Sequence, residues 1–81
     1  MIDVLFFASI RERLGVDKLS IEHALTIDQL IAQLIDREGN AWAEVLCAPN
    51  VIVAVNQQVA DRSRALEPGD EVAFFPPVTG G

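Results

Sequence analysis

The sequence predicts an α+β domain in which one main helix covers one face of a β-sheet. The chain has 81 residues, which is enough for one domain. Several short runs are rich in β-branched and bulky apolar residues, and one clearly amphipathic helix stands among them. A single helix of this kind covers only one side of a sheet, so the pattern favours the α+β class.

The first two strands are predicted near the N-terminus. The run IDVLFFA, Ile2–Ala8, is bulky and apolar on both faces, which is typical of a strand. The piece IRERLGV then indicates a connection that ends at Gly15. A shorter strand over Lys18–Glu22 would place Leu19 and Ile21 on one side.

The clearest element is the helix predicted for TIDQLIAQLIDREG. Its apolar residues follow the i, i+3, i+4, i+7, i+8 spacing of an amphipathic helix, at Ile27, Leu30, Ile31, Leu34 and Ile35. Thr26 followed by Gln29 is a capping box, and Gly39 is placed to end the helix.

A second short helix is predicted for Ala41–Cys47, with Asn40 as its cap. The residues expected to face inward are Trp42, Val45 and Leu46, and Cys47 is expected on the inward-leaning side. Pro49 and Asn50 end this element.

The second half of the chain predicts the remaining strands. Val51–Asn56 is a β-branched run that indicates a buried strand, and a short edge strand is expected around Gln58 and Val59. Glu67–Asp70 is predicted to be a turn, because Pro68 presets φ and Gly69 tolerates a positive φ. Glu71–Phe75 is predicted to be the last strand.

The strand phases leave two aromatic residues on the sheet face that the helix does not cover. These residues are Phe7 and Phe75, and exposed aromatics on one face predict a partner-binding surface. The alternative is that loops cover them, or that a slip of one residue turns them into the core.

Composition excludes several functions. The net charge of −6 argues against nucleic-acid binding and would steer the chain toward basic protein surfaces. No apolar run is long enough to span a membrane, and the N-terminus has no signal-peptide pattern. The lone Cys47 fits a reducing cytoplasm, because it cannot form an internal disulfide or build a zinc site alone.

The side chains predict no catalytic site and no bound metal or cofactor. His23 is the only histidine, and no nucleophile motif accompanies it. The carboxylates near Asp36 and Asp70 lack the spacing of paired catalytic acids or metal ligands.

The chemistry is instead predicted at the C-terminus, which reads FFPPVTGG. Pro76 and Pro77 would stiffen the exit from the last strand, while Gly80 and Gly81 would form a slim tip that can enter a narrow channel. The Gly81 carboxylate, with an ordinary pKa near 3.5, would be ionised and could attack the α-phosphate of ATP in another protein. We therefore divide the chain into a domain over 1–75 and an extended, flexible tail over 76–81.

The whole chain resembles the small subunit of molybdopterin synthase, a ubiquitin-like sulfur carrier. The resemblance lies in IDVLFFASIRERLG, VAVNQ, LEPGDEVAFF and above all in the ending FFPPVTGG. It implies a β-grasp fold, with a mixed sheet of about five strands and one main helix on one face.

The resemblance also implies a reaction. An activating enzyme of the ubiquitin-activating type would use ATP to adenylate Gly81, and a sulfur donor protein would convert the adenylate to a thiocarboxylate. The tail would then enter the large synthase subunit and give its sulfur to cyclic pyranopterin monophosphate, forming the dithiolene of molybdopterin. Two small subunits would flank a dimer of large ones in a heterotetramer.

By matching position, the resemblance implies which residues contact the large subunit. They are Phe7, Arg11, Val59 and Phe75, followed by the tail residues Pro76, Pro77, Val78 and Thr79. Val59 is smaller than the aliphatic residue expected there.

Three alternatives remain open from the sequence. One is another β-grasp sulfur carrier, such as that of thiamine thiazole synthesis, although PPVT before the glycines points away from it. Another is a protein modifier that forms isopeptide bonds to lysines. The third is an interaction module with an inert tail.

Overall fold

A computed structural model describes residues 1–77 of the chain. Its elements in chain order are β1 (Ile2–Phe6), α1 (Ala8–Leu14), β2 (Lys18–Ile21), α2 (Ile27–Glu38), α3 (Asn40–Leu46), β3 (Ile52–Val55), β4 (Gln58–Val59) and β5 (Glu71–Phe75). None of the helices in this part of the chain is long and apolar enough to cross a membrane.

The strands form one mixed sheet of five strands in the order β2-β1-β5-β3-β4. The N-terminal strand β1 pairs in parallel with β5, and the other neighbours are antiparallel. β5 is the central strand, so the first and last strands of the chain are neighbours in the middle of the sheet. The α+β class is confirmed, and the arrangement is the ubiquitin-like β-grasp fold.

The hydrophobic core lies between the helices and one face of the sheet. Strand alternation buries the side chains of Val4, Phe6, Val53, Val55, Val72 and Phe74 on that face. The Phe6 ring meets the Trp42 ring of α3 edge-on, with centroids 5.5 Å apart, and stacks on Phe74 at 5.6 Å. The residues between these in each strand point to the opposite face, which we call the open face.

The prediction of a connection at IRERLGV was wrong for most of the piece, because residues 10–14 belong to α1. The carbonyl oxygen of Phe7 accepts hydrogen bonds from the N–H groups of Ile10 and Arg11, at 3.2 and 3.3 Å, and so starts the helix. Gly15 ends it at φ 73°, where its N–H donates to the Arg11 carbonyl at 2.9 Å. Ile10 is the one buried residue of α1. Leu14, at i+4, packs against the core but is only partly buried, and two such positions in one short helix are too few for a clear apolar stripe.

The boundary of β1 also differs from the prediction. The strand ends at Phe6, and Ala8 begins α1 as an exposed residue at φ 52°. Ala8 was predicted to be the last residue of the strand, and this was wrong.

The main helix α2 starts at the predicted cap. The Gln29 N–H donates to Thr26 Oγ1 at 3.1 Å, and the Gln29 side chain accepts from the N–H of Leu25. The reciprocal bond therefore goes to the residue before the cap and not to the cap itself. Gly39 ends the helix, with its N–H on the Ile35 carbonyl at 2.8 Å, as predicted.

Replacing this cap should destabilise the domain measurably. We expect Thr26→Ala to lower the free energy of unfolding by about 1 kcal/mol, because the Gln29 N–H loses its acceptor. The melting temperature should fall by roughly 4–8 °C in thermal unfolding followed by circular dichroism. Thr26→Ser keeps the hydroxyl and serves as the control; equal melting temperatures for the Ala and Ser variants would contradict the role of the cap.

The short helix α3 confirms part of its prediction and corrects the rest. Trp42, Val45 and Leu46 are buried as predicted. Asn40 is the first helical residue and not the cap; Gly39 holds the cap position without a side-chain hydrogen bond. The helix ends at Leu46, so Cys47 lies beyond it and is exposed, against the expectation that it faces inward.

Asp70 forms hydrogen bonds with two turns at one end of the sheet. Asn56 and Gln57, at φ 50° and 70°, form the two-residue turn between β3 and β4. The carboxylate of Asp70 accepts from the Glu67 N–H at 2.8 Å and from the Asn56 side-chain amide at 3.0 Å. Gly69 supplies the φ of 90° that the predicted Pro-Gly turn requires.

These bonds give the stability a pH dependence. The hydrogen bonds from the Glu67 N–H and the Asn56 side chain lower the pKa of Asp70 below its ordinary value of 3.8. The ionised form therefore stabilises the fold above that value, and the contribution is lost as the pH falls through the folded-state pKa. We expect Asp70→Asn to cost less than about 1 kcal/mol at neutral pH, because the site is solvent-exposed.

Urea unfolding of the wild type and the Asp70→Asn variant across acid and neutral pH measures this contribution. The difference between the two should shrink as the solution becomes more acid. A difference in unfolding free energy that stays constant over the whole pH range would show that the charge of Asp70 does not contribute to stability.

Candidate functional site: the open face and the root of the tail

Two stacked aromatic rings dominate the open face. The rings of Phe7 and Phe75 lie 4.7 Å apart and 5° from parallel. Phe7 is 38 % exposed, and Phe75 is half-buried beside it. The Phe7 N–H donates to the Phe74 carbonyl at 3.1 Å, so the backbone holds this ring beside β5. The prediction that both aromatics lie on the uncovered face is confirmed.

A groove of about 400 Å³ runs from these rings across the open face. Its lining residues come from β3, β4, β5 and the residues beside them: Phe7, Ile52, Ala54, Gln57, Val59, Glu71, Ala73 and Phe75. Most of these side chains are apolar, and the polar ones, Gln57 and Glu71, lie away from the aromatic pair. An apolar strip that a soluble domain leaves open is typical of a protein-binding surface.

A second groove of about 630 Å³ lies where the chain leaves the sheet. It is lined by Asn50, Val51, Ile52, Val53, Val59, Ala60 and Pro77. Ile52 and Val59 line both grooves, so the open face continues into the root of the tail.

Three of the predicted contact residues therefore lie together. Phe7, Val59 and Phe75 line the groove on the open face, and Val59 is the most exposed of them at 79 %. Arg11 lies one helical turn after Phe7 on α1; it is exposed and does not line either groove.

The tail is described only at its root. Pro76 is half-buried and Pro77 is exposed, and neither belongs to a helix or strand. The remaining predicted site residues, Val78, Thr79, Gly80 and Gly81, lie outside the described residues.

The floor of the groove was not predicted as part of the site. Ile52 and Ala54 alternate in β3, and Ala73 lies two residues before Phe75 in β5. The two-residue period of a strand places each of them on the open face. Applying that period to VIVAVN, and extending it from Phe75 back to Ala73, would have found them, but VIVAVN was predicted to be a buried strand and Ala73 was not considered.

The side chains of residues 1–77 offer little chemistry of their own. In this part of the chain no group of three His, Cys, Asp or Glu residues is placed to hold a metal ion. His23 lies between β2 and α2, Cys47 follows α3, and both are exposed. The Ser63 hydroxyl and N–H lower the pKa of Asp61, but these bonds belong to a local turn. The open face and the tail root are therefore the candidate site, and the described geometry fits recognition of a protein.

Comparisons with known proteins agree with this geometry. Residues 4–81 match the ThiS family. The molybdopterin synthase sulfur carrier subunit of Haemophilus influenzae is 41 % identical over 81 residues, which covers 100 % of both chains. A chain in the complex of subunits 1 and 2 of the molybdopterin-converting factor from Helicobacter pylori is 27 % identical; the match covers 99 % of this chain and 97 % of that one, with a TM-score of 0.67.

A more distant solved structure shares the fold alone. The small archaeal modifier protein 1 from Methanosarcina acetivorans is 21 % identical and superposes with a TM-score of 0.82. That match covers 99 % of this chain and 95 % of the other.

Proposed function

The chain belongs to the ThiS family, and from this we propose that it is the sulfur carrier subunit of a molybdopterin synthase. One observation carries the proposal: the Haemophilus influenzae carrier subunit aligns with this chain from end to end at 41 % identity. The structure also supports the proposal, because its open apolar face continues into the root of the tail.

The proposed chemistry takes place on the C-terminal carboxylate of Gly81. A carboxylate oxygen attacks the α-phosphate of ATP in an activating enzyme, pyrophosphate leaves, and an acyl-adenylate forms. Hydrosulfide supplied by a donor protein then attacks the activated carbonyl, and AMP leaves. The product is a thiocarboxylate, which is the form that carries the sulfur.

The thiocarboxylate then serves as the sulfur source for cyclic pyranopterin monophosphate in the large subunit. The sulfur becomes part of the dithiolene, and hydrolysis of the acyl group returns Gly81 to a carboxylate. The carrier itself needs no bound cofactor in this scheme, because ATP is used by the activating enzyme. A glycine at the end of the tail suits the role, since it adds no side chain to obstruct a narrow channel.

We assign the open face to the large subunit. Phe7, Val59 and Phe75 present apolar area without a long flexible side chain, which is the composition that protein interfaces favour at their centre. Arg11 and the prolines at 76 and 77 would contact the large subunit at the edge of this area, and Val78 to Gly81 would follow into its active site. We place the reaction in the cytoplasm, where an unpaired cysteine such as Cys47 stays reduced.

Reconstitution tests the proposal. The thiocarboxylated chain, mixed with large subunit and cyclic pyranopterin monophosphate, should produce molybdopterin, which its fluorescent oxidation product reports. Product formation together with a heterotetramer in analytical ultracentrifugation is the expected result. Sulfur transfer to a thiazole precursor, or a ladder of lysine conjugates in place of molybdopterin, would overturn the proposal in favour of a thiamine-type carrier or a protein modifier.

A further inference from the structure

The middle of the groove is a depression between higher side chains. Ala54 of β3 and Ala73 of β5 are directly opposite each other in the sheet and form its floor. The aromatic pair of Phe7 and Phe75 closes one end, and Val59, opposite Ala54 on the edge strand, rises on the far side. We call this depression the socket.

The two ends of the socket differ in polarity. At the end near the tail, Phe75 is paired with Ile52, and both side chains are apolar. At the other end Glu71 and Gln57 form the rim. Asp3 is aligned with Glu71 in the parallel pairing of β1 and β5, so two acidic residues are neighbours in the sheet, and the Asp3 carboxylate accepts from Ser20 Oγ at 3.2 Å. Like charges in adjacent strands repel, and a cation from outside would relieve this.

This polarity specifies the chemistry of the occupant. The socket accepts one bulky apolar side chain, because its floor consists of methyl groups and its walls are apolar. A basic residue beside that side chain would then face Glu71 and Asp3. A second copy of this chain fits poorly, since each copy carries a net charge of −6 and would bring its own carboxylates to the contact.

We propose that the socket over Ala54 and Ala73 receives a single bulky apolar side chain of the large subunit, and that a basic residue next to it pairs with Glu71. Ala54 and Ala73 are then specificity-determining residues, because any larger side chain at either position fills the socket. The proposal rests on the proposed function, which supplies the large subunit as the partner.

Ala54 and Ala73 are only 5 % and 6 % exposed but lie outside the main core cluster, so filling the socket tests the inference on the side of the sheet away from that cluster. The Cβ atoms of Ala54 and Ala73 point to the open face, so Ala73→Leu and Ala54→Leu extend away from the core residues Val72, Phe74 and Val53. We expect each variant to weaken binding to the large subunit at least about 30-fold, the loss that a central interface contact gives, as measured by isothermal titration calorimetry. The matched control is Ala65→Leu, an exposed alanine outside the grooves, which should bind like the wild type.

The charge of Glu71 on the rim allows a second test, which does not depend on packing in the socket. Glu71→Lys should slow association with the large subunit several-fold at low salt, and the difference should fade at high salt. This variant keeps the inference testable if a leucine variant does not fold.

The outcomes separate the inference from the proposed function. If the wild type does not bind the large subunit at all, the proposed function fails. If the wild type binds and both leucine variants bind equally well, the function stands and the socket is overturned. Self-association of the wild type that Ala73→Leu abolishes would assign the socket to a second copy and overturn the inference as well.

Discussion

Removal of Gly81, or of Gly80 and Gly81 together, is expected to abolish molybdopterin formation while the fold stays intact. The reason is chemical, because the reacting carboxylate would end a shorter tail and no longer reach the active sites of the partners. The core residues described within 1–77, such as Val4, Phe6 and Phe74, are almost completely buried. The melting temperature of the truncated chain should therefore match that of the wild type.

Two controls make this experiment decisive. A variant with one extra alanine after Gly81 keeps every native residue but blocks the terminal carboxylate, and it should be equally inactive. Leu25→Ala changes an exposed residue outside both grooves and should retain the activity of the wild type. Molybdopterin synthesis by the truncated chain, or its unfolding, would refute the role assigned to the glycines.

Truncation of Phe75 should produce the largest loss of affinity among the described residues of the open face. Phe75→Ala removes the ring that stacks on Phe7 and lowers one wall of the socket. Truncating an aromatic at the centre of an interface costs about 2–4 kcal/mol, which is roughly a 30- to 1,000-fold increase in Kd. Titration calorimetry of the carrier against the large subunit measures it.

The control for this prediction is an exposed apolar residue elsewhere. Leu25 is 59 % exposed and lies before α2, outside both grooves, so Leu25→Ala should leave the affinity unchanged. The double variant Phe7→Ala/Phe75→Ala should lose less binding free energy than the two single variants together, because the two rings stack on each other. Unchanged affinity for Phe75→Ala would remove the open face from the interface.

Much of this fold could be predicted because its main signals are local. The stripe from Ile27 to Ile35 and the pair Thr26–Gln29 specify α2 without reference to the rest of the chain. The Pro-Gly turn before β5 likewise carries its own chemistry, since Gly69 supplies the positive φ. Alternation in β1 and β5 separated the core side from the open face, and this brought Phe7 and Phe75 into the candidate site.

The elements that were missed depend on tertiary contacts. The helix α1 has a single buried residue, Ile10, and its start depends on a carbonyl of Phe7 that β5 holds in place. The exposure of Cys47 follows from α3 ending one residue early, and such boundaries are weakly encoded in sequence. The socket was missed because its floor consists of alanines, and small side chains carry no sequence signal until the sheet places taller neighbours around them.

The intact mass of the chain after incubation with its activating enzyme, ATP and a sulfur source tests the central claim most directly. We expect one oxygen atom to be replaced by sulfur, with fragmentation placing the change on Gly81 and its absence when ATP is omitted. An unchanged mass, with an activating enzyme that is shown to be active on another carrier, would contradict the assignment as a sulfur carrier.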